Sequence, residues 1–147
     1  MEENSPNIIG LASDHAGYDL KEKIKAALVD KKLQFMDLGT HSNDSVDYPD
    51  FGNLLGEKVS KNKVKYGIGI CGSGIGISIA LNRINGVSAA LCLNEDMTKL
   101  ARQHNNANVI VFGSRFIDID KALILLDIFD NENFEGGRHI SRVNKLG

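Results

Sequence analysis

Cys71 stands in the stretch YGIGICGSGIGIS, residues 66–78, with glycines on both sides of it. A cysteine that ends a strand and directly precedes a helix N-terminus has backbone N–H groups and the positive end of the helix dipole beside it, which suits a thiolate. The same position suits a small hydrophobe closing a buried strand. Gly72, Gly74 and Gly76, with Ser73, form a turn whose N–H groups can converge on one oxygen anion. That is the geometry of a phosphate cradle and equally of an oxyanion hole. The string from Gly67 to Gly72 satisfies G-x-G-x-x-G but falls within the expected strand rather than after it. No acidic residue closes another strand at the expected distance and no Walker lysine follows, so a dinucleotide fingerprint is a weak reading. Cys92, inside VSAALCL, has apolar neighbours and reads as core.

Other polar candidates lie far apart in the chain. Asp14 and His15 follow the first strand-like run, where they can meet sugar hydroxyls, a ring oxygen or a phosphate, or form an Asx-type turn with a surface histidine. His104 falls in the last turn of an expected helix, where the dipole favours a cation; it is suited to giving up a proton, or to capping the helix. Arg138 and Arg142 lie four residues apart in a basic C-terminal segment with His139 and Lys145. Guanidinium forks match phosphate oxygens, and Arg115 can add to the same pocket; a solvated tail is the plain alternative. The cysteines have no paired spacing, and Asp14 and His15 make no compact ligand set with His41 or His139. No metal and no cofactor are expected.

Positioning these residues falls to alternating elements. Residues 8–13, 33–38, 66–70, 87–93 and 108–113 read as strands. Between them lie one-sided helices. The first, over 17–31, repeats Leu20, Ile24 and Leu28; the next starts at Pro49 and carries Phe51, Leu54, Leu55 and Val59 on one face. Further helices run over 74–83, after an Asn94 cap with Met97, Leu100, Ala101 and His104 at helical spacing, and over 119–129. Such alternation predicts a parallel sheet covered on both faces. The expected architecture is a single doubly wound α/β domain over residues 1–147, Rossmann or flavodoxin-like, with five strands in the order 2-1-3-4-5. A polar extension, residues 1–7, precedes it and a C-terminal helical tail, residues 133–147, ends it. Ligands in such sheets bind beyond the strand C-termini where the winding reverses, between strands 1 and 3. Those ends carry SDHAG and CGSGIG.

A formal charge of −2 gives no basic excess for nucleic acid, and the apolar runs are interrupted by charges, so no membrane span is expected. The acidic N-terminus lacks the pattern of a secretory signal, and two unpaired cysteines fit a reducing cytoplasm.

Six blocks together closely resemble the ribose-5-phosphate isomerase B family, within the wider group that includes galactose- and allose-6-phosphate isomerases. They are SDHAGYDLK (13–21), DLGT (37–40), VDYPDF (46–51), GICGSGIGISIALN (69–82), ARQHNNANVIVFGSR (101–115) and FEGGRHISRV (134–143), in family order. The resemblance implies a metal-independent aldose–ketose isomerase acting on ribose 5-phosphate and ribulose 5-phosphate. It implies Cys71 as the base that moves a proton between C2 and C1. Ser73 and the N–H groups of Gly72, Gly74, Ile75 and Gly76 would then hold the enediolate. It makes His104 a proton donor or ring opener and puts Asp14 and Asn105 on the sugar hydroxyls. It puts His15, Arg115, Arg138 and Arg142 on the phosphate. A homodimer or homotetramer is implied, with His104, Asn105 and Arg115 borrowed from the neighbouring subunit. Ser73 replaces a frequent threonine and keeps the hydroxyl, and Leu81 replaces a commoner alanine. Some members have serine at the cysteine position and a glutamate nearby; Cys71 and the absence of glutamate in the next helix mark the cysteine type. The competing readings are isomerisation of a hexose 6-phosphate and a non-catalytic flavodoxin-like binding module. The module is disfavoured because SDHAG lacks both a hydroxyl-rich phosphate loop and an acidic cluster.

Overall fold

The computed structural model describes residues 6–147, so most of the expected N-terminal extension lies outside the described residues. Five strands, β1 (Ile9–Ser13), β2 (Phe35–Asp37), β3 (Tyr66–Cys71), β4 (Ala89–Leu91) and β5 (Val109–Gly113), form one sheet in which every pairing is parallel. The helices are α1 (Tyr18–Asp30), α2 (Tyr48–Ser60), α3 (Ile75–Asn82), α4 (Glu95–Gln103), α5 (Ile119–Asn131) and α6 (His139–Asn144). The α/β architecture and the helical tail agree with expectation; the strand order does not. It is 2-1-3-5-4, with β5 in the interior and β4 at the edge. The reason is apolar surface. VIVFG of β5 is buried along its whole length, whereas AAL of β4 is a short strand with all positions partly exposed. A fully apolar strand belongs between two neighbours, and a short one suits an edge. The reversal between β1 and β3 survives this correction.

Two apolar layers cover the sheet. On one face Leu20, Ile24 and Leu28 of α1, Ala101 of α4 and Leu125, Leu126 and Phe129 of α5 pack on Leu11, Ile68, Ile110 and Phe112. On the other, Leu55 and Val59 of α2 and Ile77 and Leu81 of α3 pack on Ala12, Val109 and Val111. Gly67 and Gly69 belong to this second layer. A Cβ on Gly67 would stand 2.9 Å from Leu55 Cδ1, and one on Gly69 3.0 Å from Leu81 Cδ1. The apparent dinucleotide fingerprint is therefore helix-to-strand packing, in which missing side chains let α2 and α3 sit low on the sheet. The same logic moves the inner face of α2 to Gly52, Leu55, Gly56 and Val59, leaving Leu54 exposed against expectation. On α4 the buried residues are Thr98 and Ala101, and Met97 and Leu100 face outward. The Asn94 cap is formed, its side-chain oxygen accepting from Met97 N–H at 2.8 Å.

One charged cluster is buried beneath the β1 end. Lys21, with 0% of its side chain exposed, donates to both oxygens of Asp37 at 2.7 and 2.8 Å, and Lys25 donates to the same carboxylate at 2.7 Å. Asp37 also accepts the Gly39 amide at 2.9 Å, and Gly39 and Thr40 hydrogen-bond the backbone of Ser13. The cluster thus fixes the chain that leads into Asp14. Burial alone would raise the Asp37 carboxyl; hydrogen bonds from Lys21, Lys25 and Gly39 outweigh it and lower it to about 2. A carboxylate depressed on folding contributes stability that is complete above its unfolded value, near 3.8, and is lost as pH falls through about 2. Asp37→Asn should therefore cost about 3 kcal/mol at pH 7, since it leaves the buried Lys21 ammonium with Glu22 Oε2, at 3.3 Å, as its remaining ionic partner. The gap to the parent should narrow below pH 4, as urea denaturation across pH will report.

Candidate active site

The C-terminal ends of β1, β3 and β5 meet in one set of tight turns. Ser114 N–H donates to the Cys71 carbonyl at 2.9 Å, Arg115 N–H to the Gly72 carbonyl at 3.0 Å, and the Ser114 hydroxyl to the Ala16 carbonyl at 2.8 Å. The approach is close enough to exclude side chains. A Cβ on Gly113 would lie 2.4 Å from the Ser73 carbonyl oxygen, and one on Gly17 2.7 Å from the Ile70 oxygen. Gly74 has φ +79°, and a side chain there would also meet Leu91 Cδ1 at 2.5 Å. Glycine alone satisfies that combination.

The turns line an open cavity of about 220 Å³ that Asp14, His15, Tyr48, Cys71, Ser73 and Arg115, among others, surround. Cys71 is 4% exposed, and its Sγ accepts the Gly74 N–H at 3.2 Å. The sulfur thus faces the start of α3, whose first-turn amides have no partner within the helix. Ser73 Oγ accepts the Ile75 N–H at 3.1 Å, which leaves its own proton to donate into the cavity. Asp14 is buried, one carboxylate oxygen accepting the Gly17 N–H at 3.0 Å. It therefore makes the Asx-type turn and still lines the cavity with its neighbour. His15 Nδ1 accepts the Val46 N–H at 3.1 Å, so the neutral ring carries its proton on Nε2. The Arg115 guanidinium packs over Gly72, where a Cβ would come within 3.2 Å of Nε. A larger cavity of about 560 Å³ opens on the far side of Arg115 beside Asp19, Lys23 and Asp118, away from the cysteine.

The remaining candidates gather elsewhere. His104, Asn105, Arg138, His139 and Arg142 line a separate cavity of about 330 Å³. His104 is the C-cap of α4, which returns antiparallel to the strands and so ends at the sheet's N-terminal edge, where β5 begins. Cys71 pairs with Gly113 at the opposite edge. The five residues of β5 span roughly 15 Å. One chain therefore does not bring its two clusters together. Arg115 belongs with Cys71 in its own chain, whereas the resemblance implied a donation from the neighbour together with His104 and Asn105.

Three residues without an assigned role in the sequence reading join these clusters. Tyr48 lines the Cys71 cavity, and its ring fills the space over Gly76, where a Cβ would lie 2.6 Å from Cζ. Its signal was an aromatic beside Pro49 at a helix start, in a block already notable for resemblance. Glu135 and His139 surround His104: the two imidazoles stack with centroids 4.2 Å apart and planes 18° apart, and Glu135 Oε1 is 3.9 Å from Nε2 of each. Burial, then the neighbouring His104 and Arg138, lower the His139 imidazole, with Glu135 opposing. These three residues present ligand atoms within 4.8 Å of one another. Stacked rings, however, aim their in-plane lone pairs side by side, whereas ligands of one tetrahedral ion converge. Cys92 is buried and its thiol is raised by burial, as a packing residue should be. Among the described residues, no helix is long and apolar enough to cross a membrane.

Comparison with known proteins gives these turns a context. Residues 9–146 match the family described as Ribose/Galactose Isomerase. A probable ribose-5-phosphate isomerase B of Mycoplasma genitalium is 46% identical over 140 residues, covering 94% of this chain and 92% of that one. Ribose-5-phosphate isomerase B of Escherichia coli is 39% identical over 138 residues, covering 94% and 93%. Among solved structures, a ribose 5-phosphate isomerase of Thermotoga maritima superposes with a TM-score of 0.93 at 46% identity, covering 95% of this chain and 96% of that one. The Mycoplasma genitalium enzyme with bound ribulose-5-phosphate superposes with a TM-score of 0.89 at 44% identity, covering 95% and 93%. Matched over nearly its whole length by family, relatives and fold alike, the chain belongs to the ribose/galactose isomerase family.

Proposed function

We propose that the protein interconverts D-ribose 5-phosphate and D-ribulose 5-phosphate through an enediolate, with Cys71 as the base. The observation that carries this reading is the Cys71 sulfur facing the Gly74 amide at 3.2 Å, in a cavity shared with Asp14, His15 and Arg115. Aldose–ketose isomerisation removes the C2 proton next to a carbonyl and returns a proton at C1, so negative charge develops on oxygen in between. A thiolate at this position takes the proton. The Ser73 hydroxyl and the N–H groups of Gly72 and Gly76 donate to the developing oxyanion, each preorganised donor contributing about 3 kcal/mol, while the Gly74 amide steadies the Cys71 sulfur and the Ile75 amide holds Ser73 Oγ. Asp14 and Asn105 hold sugar hydroxyls, and His15, Arg115, Arg138 and Arg142 hold the phosphate, whose binding orients the reacting carbons. His104 carries the proton that opens the sugar ring.

Since Cys71 and His104 stand at opposite edges of the sheet, we infer that a second copy completes the site. Exposed Ile75 and Ile79 on α3, and Leu93, Met97 and Leu100 at and after β4, form an apolar margin along the edge strand that such a copy would cover. We take residues 1–147 as one isomerase domain working in a reducing cytoplasm, where its two buried thiols stay free.

The test is incubation of purified protein, with chelator present, with ribose 5-phosphate, allose 6-phosphate and galactose 6-phosphate. Conversion of the pentose, undiminished by chelator, is expected. Turnover of a hexose phosphate alone would shift the substrate, and turnover of none would end the reading. Phosphate binding has its own test. Truncation before Gly137, or Arg138→Ala with Arg142→Ala, should raise KM by about ten- to a hundredfold per lost charged hydrogen bond. An unchanged KM would remove the arginines from the phosphate.

A further inference from the structure

We propose that His139 and Glu135 are positioning residues for the His104 imidazole: His139 holds the ring flat by stacking, and Glu135 faces Nε2 of both rings and fixes their orientation. The inference rests on the reading that His104 delivers a proton to the sugar. Its basis is the turn FEGGRH. Gly136 and Gly137 both take left-handed φ, +68° and +55°, and fold the chain so that Glu135 and His139 return to one side. Glu135 N–H donates to the Gln103 carbonyl at 3.0 Å, tying the turn to the end of α4 directly beside His104. The carboxylate then stands 3.9 Å from both Nε2 atoms, and the rings stack at 4.2 Å.

Burial separates the two rings. His139 is 8% exposed, whereas the His104 side chain is 36% exposed at the cavity. Imidazole rings face to face oppose each other's protonation, and His104 is one of the groups that lower the His139 imidazole. The other charges around it are Arg138 and Arg142 on the α6 side, which oppose protonation of His139, while Glu135 favours it. Arg102 of α4 is turned away onto the carbonyls of Ala107 and Glu132 and the Phe129 ring. The inner ring is therefore held toward its neutral form, and the outer ring is the one that opens to the cavity.

The experiment combines histidine-ring NMR titration of the full-length protein with steady-state kinetics on ribose 5-phosphate across pH, for His139→Phe, His139→Ala, Glu135→Gln and His104→Ala. His139→Ala should lower kcat about tenfold through lost orientation and leave KM within about twofold, and His139→Phe, which keeps the stack, should restore most of kcat. Glu135→Gln, which removes the carboxylate that favours the charged His139 ring, should move the His139 ring titration to lower pH and lower kcat about threefold. If His139→Ala raises KM and spares kcat, His139 is a phosphate ligand and the proposal fails. An unmoved His139 titration in Glu135→Gln also overturns it. Full kcat in His104→Ala would remove the proton-carrier reading, and the proposal with it. Loss in His104→Ala with parental behaviour of the other variants would overturn the proposal alone.

Discussion

Cys71→Ala is expected to lose isomerase activity by roughly a thousandfold or more in kcat/KM, the upper part of the range for removing a positioned general base. The fold should survive. Cys71 is buried beside Ala12, Ile77 and Val111, and trading the thiol for hydrogen there opens a void smaller than a methyl-sized deletion, at about 1 kcal/mol. Cys71→Ser should be nearly as poor, because a hydroxyl at the same place does not ionise near neutrality. Ribulose 5-phosphate formation followed in parallel with thermal melting separates the two effects. Full activity in Cys71→Ala would remove the cysteine from the chemistry and leave the glycine turn as an anion cradle. A parallel fall in melting temperature would assign the loss to folding.

Mixing Cys71→Ala with His104→Ala should restore activity that neither variant has alone. In a two-fold assembly whose sites each take Cys71 from one protomer and His104 from the other, a mixed pair holds one site with both defects and one with none. Statistical exchange at equal amounts makes half of the pairs mixed, so about a quarter of parental activity should return. The expectation comes from topology: His104 at the C-cap of α4 and Cys71 at the end of β3 lie at opposite edges of one sheet. No side-chain rotation closes that gap. Exchange of subunits under mild denaturant, followed by assay, checks it. An inactive mixture after proven exchange would refute the shared site.

Local chemistry was readable from the chain where it is local in physics. The Asn94 cap, the strand ends at Ser13 and Cys71 and the glycine turn at Gly74 depend on neighbouring residues, and the structure shows each in place. Position across the sheet was less legible. The placement of β5 between β3 and β4 depends on competition among strands for buried slots, which alternation along the chain does not report. Periodicity places Leu54 inside, yet Gly52 and Gly56 let α2 and α3 touch along a different stripe; it places Met97 and Leu100 inside too, whereas α4 buries Thr98 and Ala101. The partnership of His104 with Glu135 and His139 requires the double-glycine turn to fold back, and residue types alone did not announce it. The same holds for Arg115. Its chain position beyond β5 was plain, but only the strand order places it beside Gly72.

The interior place of β5 has a consequence for the order in which the protein can be built. A growing chain emerges N-terminus first, so β4 leaves the ribosome before the strand that must separate it from β3. Until residue 113 is available, the β3 edge bearing Tyr66 to Cys71 has no partner on that side, and β4 has no neighbour in the sheet at all. The apolar edge stays open while residues 72–113 are made, an interval in which unpaired strand edges are prone to join other chains. Insertion of β5 closes that edge and brings Gly113 beside Cys71 in the same step. Completion of the sheet and completion of the cysteine pocket are one late event in the life of the chain.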